Sequence, residues 1–184
     1  MSVSGFHSCK YCLWLPSLGL LTFLKELRIE GLDEIVRIDA DFYGNSSSSF
    51  PSLETLSFND MKEWEEWECM RGAFPRLQSL SLMHCPKLKG HLPEKLSHLK
   101  RLIIEYCEQL VGWIPRAVEV EGVSNSPLEY MRIDCCPGMN IPINHCFHFL
   151  EEFRIGDGCD SLTTFPLDLF PKLCYLELEV VAYR

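Results

Sequence analysis

Cys9-Lys10-Tyr11-Cys12, with His7 beside it, has the spacing of half a structural zinc site, because two thiolates two residues apart can hold adjacent corners of a tetrahedral ion. Such a site needs a second ligand pair. The chain offers no other C-x-x-C and no H-x-x-x-H; Cys135-Cys136 are adjacent, and His145, Cys146 and His148 form only a loose cluster. Neither a metal nor another cofactor is expected. A nucleophilic enzyme would want Ser or Cys on a strained turn with His and a carboxylate, and no G-x-S-x-G or cysteine-protease-like pattern occurs. Phosphate-cradling loops of the G-x-x-x-x-G-K-[ST] and G-x-G-x-x-G types are also missing, and Gly156-Asp157-Gly158 reads as a widened turn. The chain therefore reads as a non-enzyme. One run stands out as a possible partner surface: Glu63-Trp64-Glu65-Glu66-Trp67-Glu68 sets four carboxylates around two indoles. Trp64 follows Met61 by three residues and fits an inward apolar slot, the carboxylates read as solvated, and Trp67 stays open between core and anchor.

Recognition residues need something to position them, and here it is a repeat. The pattern L-x-x-L-x-L, with conservative swaps, begins at Leu24, Leu53, Leu77, Leu99, Leu128, Leu150 and Leu173, so successive starts lie 29, 24, 22, 29, 22 and 23 residues apart. That is the period of a leucine-rich repeat. Other columns keep the register. Three residues before each start stand Leu21, Phe50, Phe74, Leu96, Asn125, Phe147 and Phe170, six of them apolar. Cys85, Cys107 and Cys136 recur after the second apolar pair, with Cys159 displaced by one. A small buried thiol lying against neighbouring backbone suits a repeat turn, and free Cys is among the most buried residue types.

The L-x-L step has the period of a strand and turns both apolar residues to one face. Stacked coils then share one core, and their strands form a parallel sheet along a concave wall. The expectation is an α/β leucine-rich repeat solenoid of about seven irregular repeats of 22 to 29 residues, with seven strands spanning roughly 30 Å. Apolar-Pro pairs such as Leu92-Pro93 and Phe165-Pro166 suit a convex side of 3₁₀ or one-turn pieces, with a brief helix begun by Pro93. Residues 1–17 read as the tail of a preceding repeat and 18–184 as seven repeats, all in one domain. The two 29-residue spacings mark insertions at Asp39 to Ser49 and Val118 to Ser126, polar stretches that read as surface loops widening a contact.

Side chains between the buried pairs face outward. Among them Arg28, Glu30, Arg101, Tyr130, Arg132, Arg154 and Tyr175 are the candidate partner-binding residues, because Arg and Tyr dominate protein recognition surfaces. The bulk composition agrees with such a role. Over 184 residues, 17 Lys and Arg against 26 Asp and Glu leave a net charge of −9, which disfavours nucleic acid as partner since phosphate binding draws on basic residues. A 47% apolar and 23% charged chain is neither disordered nor a coiled coil. The longest apolar stretch, Tyr11 to Leu24, is broken by Pro16, Ser17 and Gly19, so no membrane span is expected. Met1 to Lys10 lacks a basic segment followed by an apolar run, so no secretory signal is read, and Asn45-Ser46-Ser47 reads as a surface Ser run in place of a glycosylation acceptor. Ten cysteines without a signal read as reduced thiols in a cytoplasmic chain.

Leu15-Pro16-Ser17-Leu18-Gly19, Phe23-Leu24-Lys25-Glu26-Leu27-Arg28-Ile29, Phe42-Tyr43-Gly44, Phe50-Pro51-Ser52-Leu53-Glu54-Thr55-Leu56, Trp64-Glu65-Glu66-Trp67 and Cys85-Pro86-Lys87-Leu88 closely resemble the leucine-rich repeat region of plant coiled-coil nucleotide-binding disease-resistance proteins. The resemblance runs along essentially the whole chain and is most specific in its first half. The L-x-G-x-I-P signature of extracellular plant repeats is missing. What the resemblance implies is a part in innate immunity. The protein partners it implies are a pathogen effector, a guarded host protein, or the receptor's own nucleotide-binding module, which such repeats hold at rest. Neither a coiled coil nor a nucleotide-binding module lies in these 184 residues, so nucleotide binding and signalling are not carried over, and the chain is expected to be a fragment. Alternatives are the substrate-selecting repeats of a ubiquitin ligase, which would need an F-box-like segment not seen here, or a receptor fragment without function of its own.

Overall fold

A computed structural model describes residues 13–44, 49–93, 96–112, 127–141, 146–158 and 165–179, together with the backbone of 2–7. The L-x-L steps form strands as the repeat requires. β1 (Ser2–His7), β2 (Glu26–Glu30), β4 (Thr55–Asn59), β6 (Ser79–Met83), β8 (Arg101–Glu105), β10 (Tyr130–Asp134), β11 (Glu152–Ile155) and β12 (Tyr175–Leu178) lie side by side in that order in one eight-stranded sheet. Every pairing in it is parallel. From β2 to β12 the register never slips, so Leu27, Leu56, Leu80, Leu102, Met131, Phe153 and Leu176 form one inward row. The chain is a leucine-rich repeat solenoid with an open parallel sheet. Its eighth strand, β1, pairs with β2 across an irregularity between Val3 and Phe6; that stretch carries no L-x-x-L-x-L, which is why the repeat pattern passes over it.

From β2 to β11 each strand of this sheet alternates buried and outward residues, and the inward ones make a single core from Leu15 to Phe170. After the strand the chain turns through a left-handed residue, a column made of Gly31, Asp60, His84, Tyr106 and Cys135 with φ of 50 to 66°. The amide of each donates to the neighbouring coil, as from His84 to the Glu105 carbonyl at 2.9 Å and from Cys135 to Asp157 at 2.8 Å, so the ladder runs on past the strands. Next to this column sit the in-register cysteines, all fully buried. The Cys107 thiol lies 3.7 Å from the Leu82 carbonyl and 3.5 Å from that of Glu105, and Cys136 lies 3.1 Å from Asp134. Their small sulfurs fill the turn and donate to the backbone. Cys159 lies outside the described residues.

Farther along each coil, β3 (Arg37–Ile38) pairs with β5 (Glu66–Trp67), and β7 (Gly90–His91) pairs with β9 (Leu110–Gly112). The remaining regular pieces are 3₁₀ turns at Leu18–Leu20 and Leu167–Leu169 and one turn of helix, α1 (Ala40–Tyr43). Pro93 is not in a helix, and Glu94 and Lys95 lie outside the described residues. The first insertion departs from a plain surface loop. Asp39 caps α1 by accepting from the Asp41 amide, and Phe42 and Tyr43 turn wholly inward onto Phe50 and Phe74, because two aromatic residues in a polar stretch gain more from burial than from water. Residues 45–48, with the Asn45 sequon, and the second insertion at Val118 to Ser126 lie outside the described residues, as does the Cys9 to Cys12 motif.

The acidic run divides as its spacing implies, with Trp64 inward and Glu63, Glu66 and Glu68 exposed. Trp64 is fully buried, 4.7 Å from the Phe58 ring. Its neighbours pair across coils: Glu63 with Lys87, Glu65 with Lys89, and Glu66 and Glu68 with Arg37. Among the described residues no helix is long and apolar enough to cross a membrane.

Candidate concave recognition surface

Strand alternation decides which side chains can meet a partner, and all seven candidate residues fall on outward positions of the sheet. The middle row reads Arg28, Ser57, Ser81, Ile103, Arg132, Arg154 and Glu177 across neighbouring strands. Register then separates the candidates into two groups. Arg28 and Glu30 stand on β2, while Arg101, Tyr130, Arg132, Arg154 and Tyr175 gather on β8 to β12. Between them lie Thr55, Ser57, Ser79 and Ser81 on β4 and β6, four short uncharged side chains. Four strand steps separate Arg28 from Arg132, roughly 19 Å at the usual strand spacing.

At the first group Arg28 turns onto Glu26 of its own strand, Nε to Oε1 2.7 Å, and Asn59 donates to Glu30 at 2.9 Å. The second group is a connected network. Arg101 lies 4.1 Å over the Tyr130 ring and Arg154 lies 4.7 Å over Tyr175, contacts in which the ring face attracts the guanidinium. Arg132 reaches Glu105 at 2.8 Å and Asp134 at 3.7 Å, and Arg154 reaches Glu177 at 3.2 Å and Glu152 at 3.6 Å. Partial burial alone would lower the Arg132 pKa. The charges of Glu105, Tyr130 and Asp134 outweigh it, so the net shift is upward and Arg132 stays cationic. These ties hold long side chains in one geometry before any partner arrives, which lowers the ordering cost of association. They also leave the surface locally compensated at Arg132 and Arg154, each of which has carboxylates beside it. One atom is left over: Arg154 Nε is buried and has no hydrogen-bond partner among the described residues.

Reasoning confined to strand positions passes over the rim. His84 and Tyr106 occupy adjacent left-handed turn positions and stack at 4.7 Å with 10° between the rings. The adjoining Cys135 thiol and the Asp134 charge push the Tyr106 phenol upward, and burial with Asp134 does the same to Cys135. Both are protonated near neutrality, so this rim presents an aromatic pair and a thiol with no nucleophile. The signal was the repeat itself, since each residue precedes an in-register cysteine. Among the described residues no group of three His, Cys, Asp or Glu side chains is placed to hold a metal.

The chain is 32% identical to the disease resistance RPP13-like protein 1 of Arabidopsis thaliana over an alignment of 184 positions, covering 94% of this chain and 15% of that protein. Two further Arabidopsis thaliana relatives bear disease resistance names: RF9, 32% identical over 70% of this chain and 13% of its own length, and RF45, 39% identical over 55% of this chain and 9% of its own. The chain thus spans less than a sixth of each of these relatives. No family model matches it, and no solved structure does.

Proposed function

We propose that this chain, similar along nearly all its length to one plant disease-resistance protein and over parts of it to others, is the leucine-rich repeat region of a plant immune receptor and serves it as a protein-recognition surface without catalysis. The recognised protein is a pathogen effector, a guarded host protein, or the receptor's own nucleotide-binding module in the resting state, and the setting is cytoplasmic. The observation that carries this reading is the pre-ordered Arg–Tyr network on β8 to β12, where two cation–π pairs and two arginine-centred ion-pair groups share one face of a sheet. Arg and Tyr anchors held in place are what a protein partner's hot spot requires. The β2 group supplies a second, smaller contact about four strands away, and the serine stretch between them admits a protruding loop.

The test is to find a binding protein by screening the folded chain against effectors and host proteins, then to measure its affinity for Tyr130→Ala, Arg132→Gln and Tyr175→Ala. At least one of these should weaken binding by roughly 30-fold, the effect of losing a hot-spot side chain. Unchanged affinity in all three, with circular dichroism unaltered, would remove the concave face from the recognition role.

A further inference from the structure

Away from the concave sheet, a cavity of about 350 Å³ opens between two successive coils. None of its lining residues belongs to the eight-stranded sheet. They come from β5 and the turn after it, Trp67 to Phe74, and from β7 and the segment after it, His91 to Leu96. The volume is at the small end of the range for ligand sites, about 300 to 1,000 Å³.

Its chemistry divides into a floor and a mouth. Trp67 and Phe74 supply aromatic surface, their rings 6.4 Å apart, and Leu92 adds apolar lining. Behind them runs a short polar chain: Trp67 Nε1 donates to the Tyr43 hydroxyl at 2.7 Å, and that hydroxyl bonds the Cys69 thiol, which also lines the cavity. Burial pushes the Cys69 thiol up to about 11, so it is a neutral polar group. At the mouth stand Arg71 and His91, both exposed. The carboxylates of the adjoining acidic run are already taken, Glu65 by Lys89 and Glu66 and Glu68 by Arg37. Arg71 has no ion-pair partner among the described residues.

An aromatic pocket with an unpaired cation at its entrance, on a chain of net charge −9, is matched by a small ligand of complementary form. We propose that this cavity binds a small apolar acid, its ring or branched apolar body against Trp67 and Phe74 and its carboxylate at Arg71. The site is separate from the concave protein-recognition surface, and its failure would leave that reading intact.

The test uses the purified chain and a matched pair of probes, 3-phenylpropanoate and the neutral 3-phenylpropanol. Calorimetry should show saturable binding of the acid, weaker for the alcohol by roughly fivefold, the upper value for an exposed charge pair. Arg71→Gln should erase that preference. Ala73→Leu, which grows a side chain into the lining, should abolish both when circular dichroism shows the fold kept. Bound acid should also slow iodoacetamide labelling of Cys69 while leaving the exposed Cys174 unaffected. Absence of saturable binding, equal affinity for acid and alcohol, or binding without protection of Cys69 would each overturn the proposal.

Discussion

Cys85, Cys107 and Cys136 repeat the same environment in coil after coil, and their chemistry is set by it. A hydrogen bond with Cys85, followed by burial, pushes the Cys107 thiol far up, and burial lifts the Tyr43 phenol beyond its ordinary range as well. The Cys107 thiol and the Tyr43 phenol keep their protons in the folded state, while the unfolded chain releases them near pH 8.5 for a thiol and 10 for the phenol. Folded pKa values raised above unfolded ones mean stability that is complete below about pH 8.5 and declines above it. The urea midpoint should therefore fall steadily between about pH 8.5 and 11, the latter being the folded value for Cys69. A midpoint independent of alkaline pH would show the thiols to be accessible. In the same samples at neutral pH, Cys85, Cys107 and Cys136, all fully buried, should resist a thiol reagent until the chain unfolds, since a buried thiol is out of the reagent's reach.

At the level of the coil, strand and turn were legible in the sequence to different degrees. The L-x-L pairs located seven of the eight strands in the sheet and their mutual register, because inward burial is forced by period-two alternation. β1 escaped, its apolar residues being interrupted by an irregularity that breaks the period. Phe42 and Tyr43 escaped because a polar insertion hides two residues that fold back into the core. For the concave surface, the outward placement of all seven candidates was readable, but their partners were not. Whether Arg132 meets Glu105, or Arg101 covers Tyr130, depends on rotamers chosen across strands. The repeat marks the place of the turn but not its left-handed conformation, since only Gly31 of that column is a residue type that favours it. It offers a clean measurement: Gly31, with φ 66°, should lose about 1 kcal/mol on replacement by Ala, from the clash of Cβ in that conformation, read by urea unfolding.

Across the whole molecule the packing is uneven. The inward residues Leu56, Phe58, Leu80, Leu82, Leu102 and Ile104 are fully buried, whereas Leu176 and Leu178 at the same positions of β12 are 37% and 54% exposed. Each coil leans on both neighbours, and the described part of β12 has one. Hydrogen exchange should accordingly be slowest in β4, β6 and β8 and fastest in β12, graded by coil and not uniform; equal protection throughout would mean that β12 is supported as well as the centre. The unbroken register has a mechanical consequence too. Neighbouring coils are joined edge to edge by strand hydrogen bonds, so tension applied along the solenoid axis loads those bonds one interface at a time. A solenoid of this kind behaves as clasps in series. Every clasp that opens releases 22 to 29 residues, or about 75 to 100 Å of extended chain, which makes the repeat period the natural step length of its extension under force.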